Sequence, residues 1–133
     1  IMTNSRSANG SKLRKTAISS DGGENWTGLI DEPQLIEPQC MGSILSVADD
    51  SNSIPVLLFS IPNTKNGRKY GTIKFSLDDG TSWSSGKCIY NGSYAYSSLA
   101  DLGSGNFGVL FEKDDYEAIS FLRTNTKWLT RKK

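Results

Sequence analysis

The sequence predicts an all-β chain assembled from repeated hairpin units. Three observations carry that expectation. Short runs rich in Val, Ile, Leu, Phe and Tyr recur between clusters of Gly, Asn, Asp and Ser, the pattern of strands joined by tight turns. Helix signals are scarce. An eight-residue pattern, Ser-x-Asp-x-Gly-x-x-Trp, occurs twice, as SSDGGENW at 19–26 and SLDDGTSW at 76–83, each time directly after an apolar run, and a repeated pattern points to repeated units.

In chain order, the sequence opens on IMTNSR, already in apolar-polar alternation. LRKTAIS at 13–19 is expected as a strand closed by SDGG, SILSV at 43–47 as one closed by ADDSNS, and PVLLFS at 55–60 as one closed by NTKNG. GTIKFSL at 71–77 runs into DDGTS, KCIY at 87–90 precedes a further strand at 96–101, GSGN separates that from FGVLF at 107–111, and AISFL at 118–122 ends the series. Each turn cluster supplies residues that tolerate positive φ or hydrogen-bond their own backbone, so the connections are short and specified.

With 133 residues, 36% hydrophobic and 22% charged, the chain is long enough for one core. Fifteen basic and fourteen acidic side chains leave a net charge of +1, and apart from the terminal RKK they are scattered. No electrostatic footprint for nucleic acid results. The longest apolar stretch, IPVLLF at 54–59, is far shorter than the roughly 20 residues of a membrane-spanning helix. No charged n-region and apolar h-region open the chain, so no targeting signal is legible, and an upstream portion is compatible with this start. Histidine is absent, which removes the usual general base and the commonest zinc ligand. Chemistry would have to run on Asp, Glu, Tyr, Arg or Lys, and no metal or cofactor is expected. Cys40 and Cys88 could pair or could be separate thiols; without CxxC spacing they do not suggest a metal site.

The repeated octapeptide has a physical logic. Its Ser and Asp oxygens cap backbone amides across a tight turn, its Gly takes a conformation that a Cβ disfavours, and its Trp folds back over the hairpin. Asp21, Asp78, Trp26 and Trp83 are therefore turn builders rather than catalytic residues. The motif resembles the Asp-box, a hairpin motif of sialidases and several other β-propeller proteins. That resemblance implies a six-bladed β-propeller in which blades of about 40 to 50 residues would let this chain supply two to three, with the remainder upstream. Gly103, Gly105 and Gly108 in LGSGNFG also satisfy GxGxxG, but the dinucleotide fingerprint needs a helix after the glycines. Here FGVLF continues as a strand, and a hairpin turn is the expected reading.

AYSSLADLGSGNFGVLFE, at 95–112, resembles the C-terminal motif of exo-sialidases, retaining glycoside hydrolases that remove terminal sialic acid. The resemblance implies that Tyr96 is the catalytic nucleophile and that Glu112, closing the apolar strand, orients an arginine. DDYEAISFL continues the same family pattern. IMTNSRSANG resembles the family segment that ends a strand with an arginine of a carboxylate-binding triad, which maps onto Arg6. IPNTKNGRKYGTIKFSLDDGTSW resembles the segment that carries another triad arginine shortly before an Asp-box, which maps onto Arg68. EPQCMGSIL is similar to a family stretch of the same blade, with no catalytic role implied. The likeness spans Met2 to about Leu122 and implies that residues 1–133 form the C-terminal portion of a single propeller catalytic domain.

Elementary chemistry favours these residue types independently. Sialic acid carries a carboxylate on the carbon where its bond breaks, and guanidinium forks bind carboxylates bidentately while staying charged. A carboxylate nucleophile would be repelled there, whereas a phenol activated by a neighbouring Glu arrives neutral, the tyrosine exception among glycosidases. Taken singly, an arginine in a polar loop is by default a solvated charge, a tyrosine after a Gly/Ser turn a packing residue, and Glu112 an exposed strand end. Their joint occurrence in family order sets those defaults aside.

Three family elements have no counterpart here: an N-terminal arginine of the triad, a loop Asp acting as general acid/base, and a Glu that activates the tyrosine. The resemblance then implies partners of two kinds, sialylated glycans and the N-terminal part of the same propeller, and an isolated chain without turnover. The alternatives are a non-catalytic Asp-box module that binds sialylated glycans or protein, and a half-propeller closing on a second copy. By family analogy the location is secreted, periplasmic or cell-surface, in a bacterium.

Overall fold

The computed structural model describes residues 1–49 and 54–131. The ADDSNS turn signal falls largely outside them, as do the last two residues of the terminal RKK. In chain order the described strands are β1 (Met2–Ser5), β2 (Leu13–Ile18), β3 (Ile30–Ile36), β4 (Ser43–Val47), β5 (Val56–Pro62), β6 (Lys69–Ser76), β7 (Lys87–Gly103), β8 (Asn106–Lys113) and β9 (Ala118–Asn125), followed by a short helix, α1 (Thr126–Thr130). Pairing is antiparallel throughout and follows chain order, β1-β2-β3 in one sheet and β4 to β9 in the other.

β5 joins the two cores because its apolar run serves both of its faces. Val56 and Leu58 enter a cluster with Ile73, Tyr94, Phe107 and Val109, while Phe59 and Ile61 pack with Leu35 and Trp83. Unbroken apolar sequence in a strand is what two-sided burial requires. Leu35 reaches the second cluster through an irregularity in β3: Leu13 pairs with Ile36 and Arg14 with Glu32, so residues 33–35 bulge from the ladder. The sequence pattern does not mark β3, since Asp31, Glu32 and Pro33 interrupt its apolar residues. As an edge strand it tolerates proline and exposure.

The stretches 87–90 and 96–101, expected as separate strands, form the single 17-residue β7. Asn91-Gly92 is a dipeptide that favours turns, yet here it lies within the strand, where the register against β6 is irregular. The first part of β7 pairs with β6 and the rest with β8, the change falling between Ser93 and Tyr94, so one strand belongs to two consecutive hairpins. At its far end Gly103 pairs with Asn106, with Ser104 at φ 51° and Gly105 at φ 74° in the loop. Positive φ at both loop residues marks a tight type I′ hairpin, so Gly103 and Gly105 of LGSGNFG serve the turn while Gly108 lies within β8.

The two octapeptides build the same hydrogen-bonded turn. Ser19 Oγ accepts the Gly23 amide at 2.8 Å and Asp21 Oδ1 the Asn25 amide at 3.0 Å; Ser76 Oγ accepts the Gly80 amide at 2.8 Å and Asp78 Oδ1 the Ser82 amide at 2.8 Å. Their tryptophans differ in burial. Trp83 is buried, edge-on to Phe59 at 6.0 Å, whereas Trp26 is exposed and donates from its indole nitrogen to the Gly23 carbonyl at 3.0 Å.

Candidate functional site

The site begins with a bulge in β7. Tyr94 pairs with Lys113 and Ser97 with Phe111, so β7 carries one more residue than β8 over this interval. A bulge breaks strict alternation and re-aims a side chain. Accordingly Tyr94, Ala95 and Ser97 are buried while Tyr96 is 37% exposed. Beneath it, the Tyr94 hydroxyl shares a hydrogen bond with Ser60 Oγ at 2.6 Å, and Ser60 with Ser97 Oγ at 2.9 Å. This satisfied polar cluster fixes the floor under Tyr96. Space for the Tyr94 ring comes from Gly71, where a Cβ would lie 2.0 Å from it.

Glu112 stands across from the bulge, and its Oε2 accepts the Tyr96 amide at 3.1 Å. The bond leaves the second carboxylate oxygen for other work. Arg68 enters from the loop before β6, anchored where its carbonyl accepts the Tyr94 amide at 2.9 Å. Its guanidinium carbon lies 5.0 Å from the centroid of the Tyr96 ring, within cation–π range. Arg68 Nη1 also donates to the Tyr116 hydroxyl at 2.8 Å.

The sequence offered no role for Tyr116, although it lies within DDYEAISFL. It sits in a short turn, Asp114–Tyr116, whose residues take φ of 53°, 54° and 75°. Aspartate tolerates such values and tyrosine rarely does, so the turn depends on outside bonds. Lys113 Nζ meets Asp114 Oδ2 at 2.7 Å, the Tyr90 hydroxyl donates to Asp114 Oδ1, and the Asp115 amide donates to Ser93 Oγ at 3.0 Å. The Lys113 and Tyr90 bonds hold the Asp114 carboxyl below its ordinary range.

Arg6 lies just beyond β1, exposed, with Nη1 3.4 Å from the Gln39 carbonyl. It lines a depression of about 380 Å³ together with Asn4, Arg14, Met41, Gly42 and Tyr96. On the other side of Tyr96 is an apolar recess of about 200 Å³ formed with Met41, Leu110, Phe111, Glu112 and Ile119. Tyr96 therefore stands between a cationic depression and an apolar one, with Arg68 against its ring. Arg6 makes its direct contact with neither Tyr96 nor Arg68 but with the Gln39 carbonyl; the shared depression is what brings it to Tyr96.

Two charged residues behind this site escaped the sequence reading. Arg14 on β2 and Glu37 after β3 are both buried, although a charge within a polar-apolar strand ordinarily reads as solvated. Burial lowers the Arg14 pKa, and the negative charge of Glu37 counteracts that. Cys40 is a buried thiol whose pKa burial pushes up, and Cys88 is an exposed thiol; the two are unbridged. Among the described residues no three His, Cys, Asp or Glu side chains gather to hold a metal ion, and no helix is long and apolar enough to cross a membrane.

A phenol with two guanidinium groups close by can bind an anion beside a nucleophile. No protein-family model matches the chain. Over 97% of its length it is 35% identical to a sialidase of Micromonospora viridifaciens, covering 20% of that protein. Over 80% of its length it is 34% identical to an anhydrosialidase of Macrobdella decora, covering 16% of it. Among solved structures, Hadza microbial sialidase Hz136 superposes with a TM-score of 0.83 at 32% identity, over 97% of this chain and 26% of that one. The chain thus spans about a fifth or less of the length of these two curated relatives.

Proposed function

This chain is homologous to the sialidases along nearly all of its length and has part of their β-propeller fold, and from that premise we propose that it is the C-terminal portion of an exo-sialidase catalytic domain, cleaving terminal α-linked sialic acids from glycoconjugates. The observation that carries the proposal is Tyr96, raised by a bulge into a depression shared with Arg6 and covered by the Arg68 guanidinium.

In this reading Arg6 and Arg68 bind the substrate carboxylate and turn the anomeric carbon towards the Tyr96 hydroxyl. Tyr96 loses its proton to a base and attacks that carbon; the carbon–oxygen bond to the aglycone breaks, and the leaving oxygen takes a proton from a general acid. Water then attacks from the face that the aglycone left, opposite Tyr96, giving its proton to the general acid now acting as base; the bond to the tyrosine oxygen breaks, Tyr96 regains its proton, and two inversions leave the configuration retained. The base, the general acid and a third arginine belong to the upstream part of the propeller. Glu112 holds the Tyr96 backbone with one oxygen and orients that third arginine with the other. A location outside the cytoplasm, where sialylated glycans are met, goes with this role.

Release of a fluorogenic aglycone from a sialoside by the full-length protein carrying this segment tests the proposal. Turnover that falls by about a hundredfold or more in Tyr96→Phe supports it. Saturable sialoside binding with no turnover in the unmodified protein would favour a binding module instead.

A further inference from the structure

Two charged side chains that the proposed chemistry does not use are among the most enclosed in the molecule: Arg14 is 2% exposed and Glu37 0%. Buried charge is costly unless its bonding capacity is met. Glu37 Oε1 accepts the Ser7 amide at 2.8 Å and Oε2 the Cys40 amide at 2.7 Å. Arg14 donates from Nε to Asn4 Oδ1 at 2.6 Å, from Nη2 to the Asn4 carbonyl at 2.8 Å and from Nη1 to the Cys40 carbonyl at 2.9 Å.

These five bonds converge on two short pieces of chain. Asn4 lies two residues before Arg6 and Ser7 one after it, so Arg14 holds the approach to Arg6 and Glu37 the exit. Cys40 takes one bond from each, and it adjoins Gln39, whose carbonyl accepts from Arg6 Nη1. Backbone on both sides of Arg6, and the loop against which Arg6 rests, are thus tied to one buried pair of opposite charges. If stability were all that mattered, apolar side chains of similar volume would serve as well or better.

We propose that Arg14 and Glu37 are positioning residues that clamp the chain on either side of Arg6 and fix where its guanidinium meets the carboxylate of the substrate. The inference rests on the reading of Arg6 as a carboxylate-binding residue. Glu37→Gln keeps the shape but puts an NH2 group where an acceptor was, so the Ser7 or the Cys40 amide faces a donor. Arg14→Lys keeps the charge and loses the planar fork.

The test measures kcat/KM for a sialoside in the full-length protein, for Glu37→Gln and Arg14→Lys, each with Arg6 intact and in an Arg6→Ala background. With Arg6 intact, each variant lowers kcat/KM by about tenfold. In the Arg6→Ala background neither lowers it further, because the group they position is gone. Equal fractional losses in both backgrounds, or no loss with Arg6 intact, overturn the inference while leaving the carboxylate site in place. If Arg6→Ala itself leaves kcat/KM unchanged, the reading of Arg6 falls and the clamp with it. Should Glu37→Gln fail to fold, Arg14→Lys carries the same comparison alone.

Discussion

Arg68 is held between two tyrosines, its guanidinium carbon 5.0 Å from the centre of the Tyr96 ring and its Nη1 bonded at 2.8 Å to the Tyr116 hydroxyl. The second contact restrains the arginine from a turn of three positive-φ residues 48 positions away in sequence. Tyr116→Phe keeps the ring and deletes the bond. We expect KM for a sialoside to rise by about threefold to tenfold with kcat changed less, since a bond to a charged group is lost at an exposed position. Steady-state kinetics on the full-length protein check this.

Replacing Arg68 by lysine asks whether the fork itself matters. A lysine keeps the charge but cannot grip a carboxylate with two parallel bonds. An increase in KM of about tenfold or more is expected for Arg68→Lys, and kinetics that match the unmodified protein would remove Arg68 from the binding site.

Gly71 makes room for the Tyr94 ring that floors the site, and its requirement is steric, because an added Cβ would lie 2.0 Å from that ring. Gly71→Ala should destabilise the fold by about 1 to 3 kcal/mol, seen as a lower midpoint in thermal or urea unfolding. Its effect on turnover should follow only where the Tyr96 bulge shifts with Tyr94.

Asp21 offers a pH signature. The Asn25 amide first, then the Asn25 and Ser19 side chains, pull its carboxyl from 3.8 down to about 2. A carboxyl whose folded pKa is depressed contributes stability that is present above its unfolded value and is lost as pH falls through its folded one. The first octapeptide turn should therefore hold from neutrality down to about pH 4 and loosen towards pH 2. An NMR titration of the Asp21 carboxyl with its midpoint near 3.8 would contradict these bonds.

The β8–β9 hairpin exposes Leu110, Ile119 and Phe121, the last two 68% and 59% exposed. In a closed propeller such a face packs on a neighbouring blade, and uncovered it favours association. Sedimentation of this chain alone should show self-association that addition of the upstream part suppresses. A monodisperse monomer with a sharp melt at high temperature would argue against closure by upstream blades.

What was legible in the sequence follows from how local each signal is. The Ser-x-Asp-x-Gly-x-x-Trp turns encode their own hydrogen bonds within eight residues, and β5 declares two-sided burial in PVLLFS. β3 was not legible, because Asp31, Glu32 and Pro33 obscure an edge strand whose one buried residue, Leu35, depends on a bulge. The sequence suggests separate strands at 87–90 and 96–101 where the structure has the single strand β7, because what keeps the stretch between them extended is pairing with β6 and then β8, which no local pattern records. At the candidate site, Arg6, Arg68, Tyr96 and Glu112 stood out through family-like motifs, and the structure gathers the last three directly. Arg14, Glu37 and Tyr116 did not, since their roles arise from burial and contacts between distant segments, and no local pattern records either.

The central claim is that Tyr96 is the nucleophile. Its most direct measurement is mass spectrometry of the full-length protein quenched during turnover of a sialoside whose second step is slow. The account predicts a sialosyl adduct on the peptide containing Tyr96, at the tyrosine oxygen, and none in Tyr96→Phe. An adduct on a carboxylate, or turnover that survives Tyr96→Phe undiminished, would contradict it.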